Sequence, residues 1–160
     1  MSEIFEGILC KTSVAQVEAT LGSKESLLTL VAAQLSDELA VVYRSDPRRE
    51  GQFSAEVEDM AAALSSSLGQ ALLVRYDSRV GHRSSKYYVE GELARECGDS
   101  DEVYVRLDEE GEPLVAGERF GIDQLDPDEE YETFKNAIQL GLDALGAGKW
   151  SALLEFVASR

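Results

Sequence analysis

A helix that must stop and a strand that must be buried stand side by side near the middle of this chain. Ser54 is placed to cap a helix, and Glu56, Glu58 and Asp59 suit the positive end of its dipole. Val57, Met60, Ala61, Leu64 and Leu68 recur at helical spacing, and Gly69 ends the pattern. Ala71–Tyr76 (ALLVRY) then runs with almost no polar residue, which predicts a strand at the centre of a sheet. Together they require a fold in which helices pack on a sheet.

The flanking sequence extends this pattern. Ile4–Cys10 (IFEGILC) is a short apolar run that suits a strand or a buried segment. Ser13-Val14-Ala15-Gln16 has the form of a capping box, Val14, Val17 and Leu21 share a helical face, and Gly22 provides the stop. Leu27–Leu35 is ambiguous between helix and strand, with a strand at Ser26–Ala32 the preferred reading. Leu39–Tyr43 (LAVVY) is a β-branched strand ended by Ser45-Asp46-Pro47, and Arg48–Gln52 is a loop.

After the central strand, Asp77–Ser85 reads as a polar turn. Tyr87, Val89 and Leu93 continue an antiparallel partner, with Gly91 at a bulge. Val103–Leu107 alternates as a half-exposed strand, Asp108–Gly111 is a hairpin loop, and Leu114–Ala116 returns beside Pro113 as an edge strand. Asp126-Pro127 opens a long helix whose stripe is Tyr131, Phe134, Ile138, Leu142 and Leu145, and Trp150–Val157 forms a last short helix. The expected fold class is α+β. Residues 1–160 form one domain, with a mainly antiparallel sheet of five to six strands, helices packed on one face and a helical C-terminus.

Charge is distributed very unevenly. Residues 90–132 hold 17 Asp and Glu against three Arg, so this stretch carries nearly all of the chain's net charge of −16. Such a field attracts cations or basic protein surfaces and disfavours nucleic acid and anionic membrane. No apolar run approaches the roughly 18 residues of a membrane span, and the acidic start Met1–Glu6 does not resemble a secretory signal. Cys10 and Cys97 are far apart, and His82 is the only histidine, too few ligands for a zinc site. The expectation is a cytoplasmic protein with reduced thiols and no cofactor.

Two groups of residues are candidates for function. Arg75, Arg79, His82 and Arg83 crowd the predicted hairpin at 75–86 and suggest a pocket for a small anion, in which His82 could move a proton. A solvated hairpin pairing with the chain's own carboxylates explains the same residues. Tyr87, Tyr88 and Tyr104, with Asp101, Glu102, Glu109 and Glu110, suggest a protein-contact surface. The acidic clusters match neither a calcium-loop nor a two-metal pattern, so no metal is expected. GxSxG and phosphate-loop motifs are also lacking, so no catalytic residue is assigned.

The charge pattern favours a small acidic, non-enzymatic protein-binding module of the bacterial cytosol that recognises a basic protein partner. Inhibitor (immunity) proteins and secretion chaperones share its size and acidity, an analogy of class only. The alternatives are an anion-binding or enzymatic site at the basic hairpin, and a structural homodimer joined through the C-terminal helices.

Overall fold

The computed structural model describes residues 4–22, 29–45, 53–79, 82–99, 103–106, 120–121, 134–135 and 137–159. In chain order the elements are β1 (Ile4–Cys10), α1 (Val14–Leu21), β2 (Leu30–Ser36), β3 (Leu39–Arg44), α2 (Ala55–Leu68), β4 (Gln70–Asp77), β5 (His82–Val89) and β6 (Glu92–Asp99). There follow β7 (Val103–Arg106), β8 (Phe120–Gly121), β9 (Phe134–Lys135), α3 (Ala137–Leu145) and α4 (Trp150–Ser159). The first six strands form one antiparallel sheet in the order β2-β3-β1-β4-β5-β6, so the fold is α+β. Strand β7 pairs with β8 and with β9 in a smaller sheet.

Alternation along the strands sorts the core into two layers. Ile8 and Cys10 of β1, Ala40 and Val42 of β3, and Ala71 and Leu73 of β4 meet Val17 of α1 and Val57, Met60, Ala61 and Leu64 of α2. Phe5, Leu9, Val41, Leu72 and Val74 point the other way, onto Ile138, Leu142 and Leu145 of α3 and Leu153 and Val157 of α4. Helices α1 and α2 thus cover one face of the sheet, and the helical C-terminus covers the other. Burial on both sides explains why β4 is almost wholly apolar.

Local chemistry sets the helix ends. The Ser13 hydroxyl accepts from the Gln16 N–H at 3.2 Å, and the Ser54 hydroxyl accepts from the Glu56 N–H at 3.2 Å. A distant residue completes the first cap: Gln34 of β2 accepts from the Val14 N–H at 2.8 Å and donates to the carbonyls of Thr12, Ser36 and Leu39. That one amide ties α1 to the β2–β3 hairpin.

Several boundaries differ from the sequence expectation. Strand β2 begins at Leu30 and runs to Ser36, later than Ser26–Ala32, because a tight turn at Asp37-Glu38 pairs Ser36 with Leu39. The turn after β4 is shorter than Asp77–Ser85, since β5 starts at His82 and Ser85 is buried. The strand expected to run from Tyr87 through Leu93 is two strands: β5 ends at Val89, β6 begins at Glu92, and Gly91 lies in the hairpin turn between them, not in a bulge. Glu90 (φ 50°) and Gly91 (φ 89°) both have the positive φ that tight hairpins need. The turn docks on the end of α2, with the Gly91 N–H donating to the Ser65 hydroxyl at 2.8 Å.

Of the helix expected from Asp126, the described part is α3, which begins at Ala137, and residues 126–133 lie outside the described residues. Phe134 and Lys135 pair with Arg106 and Val105 as a strand. Phe134 lies four residues before Ile138 and so mimics a helical stripe. The expected hairpin loop at Asp108–Gly111 and return strand at Leu114–Ala116 lie outside the described residues.

Candidate functional site

The IFEGILC run carries a charge in its middle, and alternation sends that charge into the core. Glu6 shares the α2 side of β1 with Ile8 and Cys10, and its side chain is wholly buried. Its Oε1 accepts from Arg44 Nη1 of β3 at 2.8 Å, and its Oε2 accepts from Arg75 Nε of β4 at 2.6 Å. The same Oε2 accepts from the Ser54 N–H at 3.2 Å, at the start of α2. Arg75 returns to this junction by donating to the Ser54 carbonyl at 2.9 Å. Its guanidinium also lies 5.4 Å from the Phe53 ring centroid. A burial this complete is tolerated because each oxygen of Glu6 meets a cationic donor.

The pattern of alternating charge continues toward β6. Glu58 of α2 stands 3.8 Å from Arg75 and accepts a hydrogen bond from Lys86 of β5. Lys86 also reaches Glu96 of β6 at 3.6 Å. The hydrogen bond from Lys86 holds the Glu58 carboxyl below its ordinary range, and the reciprocal contact raises Lys86. At the end of β4, Arg79 clamps Asp77 with two donors at 3.0 and 2.8 Å, and this lowers the Asp77 pKa.

Of the four expected anion ligands, Arg75 and His82 meet at the Phe53 ring, but two of the arginines are already engaged within the chain. Arg75 and Arg79 hold the chain's own carboxylates, Glu6 and Asp77. His82 stands opposite Asp77 in the β4–β5 register, with its ring 5.7 Å from Phe53. Arg83 is the next residue along β5 and so faces the opposite side of the sheet. Among the described residues no group of three or more His, Cys, Asp or Glu is arranged to hold a metal.

The expected contact surface is divided. Tyr88 is buried beneath α2, only 6% exposed, and so supports the core instead of offering a surface. Tyr87 is half-buried on the other face and donates to Gln70 Oε1 at 2.6 Å. Tyr104 lies on β7, and Asp101, Glu102, Glu109 and Glu110 lie outside the described residues. The described part of the acidic stretch shows Glu90, Glu92 and Glu96 exposed along the β5–β6 hairpin. Val89 and Leu93 are exposed beside them, at 37% and 47%.

Sequence reasoning missed Glu6 and Arg44, the two charges buried most deeply among the described residues. The one available signal was a glutamate inside an otherwise apolar strand. Arg44 gave none, because it closes a strand where an exposed arginine is ordinary. Comparison with known proteins returned no match: no family model, no curated protein and no solved structure matches this chain.

Proposed function

We propose that this protein is a non-enzymatic binding module that recognises a basic protein partner through the acidic surface beginning at the β5–β6 hairpin. One observation carries the reading. The cations Arg75, Arg79 and Lys86 are held by the chain's own carboxylates, whereas Glu90 and Glu92 are exposed next to exposed Val89 and Leu93. Carboxylates bordering apolar side chains suit a protein contact: charge speeds encounter and selects the partner, and apolar area supplies lasting contact. The inhibitor and secretion-chaperone classes remain the nearest analogies in size and charge.

The alternatives have less support. The basic hairpin reading loses two of its arginines to internal ion pairs. The homodimer reading relied on an apolar α4, yet Trp150, Leu153, Phe156 and Val157 pack on the chain's own sheet.

The test starts from the source cell's lysate, with bound proteins captured at low salt and identified. Association of the purified partner is then measured against ionic strength for the wild type and for Glu90→Lys/Glu92→Lys. The reading expects a basic partner whose association rate falls with salt and falls again in the double variant. A partner bound at the same rate by both proteins and at all salt concentrations would overturn it.

A further inference from the structure

We propose that the cleft between the β2–β3 hairpin and the α3–α4 turn binds a small amphiphilic anion, a carboxylate carried on an aliphatic body. The cleft has a volume of about 540 Å³, within the range of small-molecule sites. Its walls are largely apolar, built from Leu9, Leu35, Leu39, Leu153 and Phe156. Lys11 and Lys149 also line it.

The two lysines carry the inference. Arg44, Arg75, Arg79 and Lys86 each hold a carboxylate of this chain. Among the described residues, Lys11 and Lys149 enter no ion pair, although acids outnumber bases 31 to 15. Both unpaired lysines line the same apolar cleft. Lys11 Nζ lies 3.4 Å from where a Cβ on Gly146 would stand, so it sits over the C-terminal end of α3, close in sequence to Lys149.

Glu38 also lines the cleft, leaving two cations against one anion. The chain's overall negative charge opposes an anion at long range. At physiological ionic strength that field is screened over about 8 Å, so contact with the two lysines dominates. Two lysines supply compact positive charge that a single carboxylate can meet without bidentate geometry, and the apolar walls require an aliphatic body behind it. A free fatty acid and the C-terminus of an apolar peptide share this chemistry.

Trp150 follows Lys149 but packs against Tyr76 and not into the cleft, so binding is read directly by isothermal titration calorimetry. Titration with decanoate below its micellar concentration is expected to give a saturable heat change. Decanol, without the charge, and butyrate, without the body, are expected to bind at least about tenfold more weakly. N-acetyl-trileucine, run in parallel, identifies the source: whichever of it and decanoate binds tighter names the fatty acid or the peptide terminus.

Lys11→Ala/Lys149→Ala alters only exposed side chains and is expected to weaken decanoate by about tenfold or more. Ala152→Phe, at an exposed cleft-lining position of α4, is expected to block it. Failure to saturate, equal affinity for decanol, or an unchanged double variant would overturn the proposal. A dimer by light scattering that Ala152→Phe converts to monomer would assign the cleft to a second copy, and would overturn it too.

Discussion

The carboxylate of Glu6 receives Arg75 Nε at 2.6 Å with none of its side chain exposed. Arg44 closes the same carboxylate from β3 at 2.8 Å, equally buried. Two guanidinium groups on one carboxylate leave a local excess of positive charge, which Glu58 offsets from α2. The network therefore joins three neighbouring strands to the first turn of a helix. Removing its central anion should cost far more than removing an exposed charge. Glu6→Gln is expected to lower unfolding stability by about 3–5 kcal/mol, because it leaves buried cations without a counter-charge. Replacing Glu6, Arg44 and Arg75 together by leucine or methionine should cost less than Glu6→Gln alone. Urea unfolding of the wild type, Glu6→Gln and the triple variant decides this, and a triple variant less stable than the single one would refute it.

Helix α3 presses against the sheet at a glycine. Gly141 of α3 faces Leu72 and Ser85, and a Cβ there would stand 2.7 Å from Leu72 Cδ1 and from Ser85 Cβ and Oγ. Ser85 is fixed by the hydrogen bond it donates to the Ala137 carbonyl at 2.6 Å. Gly141→Ala would normally favour a helix, yet here it is expected to destabilise by about 1–3 kcal/mol through overpacking. Thermal unfolding checks the sign: a higher melting temperature would mean that α3 can move away from the sheet.

What the sequence revealed and what it hid divide along the range of the interactions. The caps at Ser13 and Ser54 were legible because each is closed by a backbone N–H two or three residues away. The α2 stripe and the apolar β4 were legible because their periods are local. Strand β6 was not separated from β5, because Glu92, Arg95 and Glu96 disguise a strand whose pairing comes from β5. The start of α3 was misplaced because Phe134 fits a helical spacing but pairs with β7. The Glu6 network was hidden because its members lie 38 and 69 residues from Glu6 and meet only when β3, β1 and β4 pair. The same holds for the Lys11–Lys149 cleft, which forms only when the C-terminal helices fold onto β1 and β2.

Stability should plateau at intermediate pH and fall on both sides. Glu58 and Asp77 lie below their ordinary values of 4.5 and 3.8, because Lys86 and Arg79 respectively donate to them. Their contribution is complete above those values and is lost as pH falls through the lower folded ones. Lys86 lies above its ordinary 10.5, chiefly through Glu58, so its contribution is complete below that value and is lost as pH rises through the folded one. Lys86→Met is expected to lower the plateau by about 1 kcal/mol or less, since both partners are partly exposed. The two curves should converge at the acid and alkaline extremes. Urea unfolding across pH tests this, and a constant offset at every pH would show that the pair contributes only packing.

Cys10 offers a way to watch the core open. It is fully buried at the end of β1, and burial pushes its thiol up to about 12. At neutral pH the folded protein presents almost no Cys10 thiolate, the reactive form. Alkylation in a Cys97→Ser background should therefore proceed only through opening of the core, at a rate that rises with urea. Glu6→Gln provides the decisive comparison. If Cys10 is exposed by global unfolding, the variant should label faster by about tenfold for each 1.4 kcal/mol of stability lost. Labelling that is fast in native buffer and insensitive to both urea and Glu6→Gln would instead mean that β1 opens locally, independently of the ion network on its inner face.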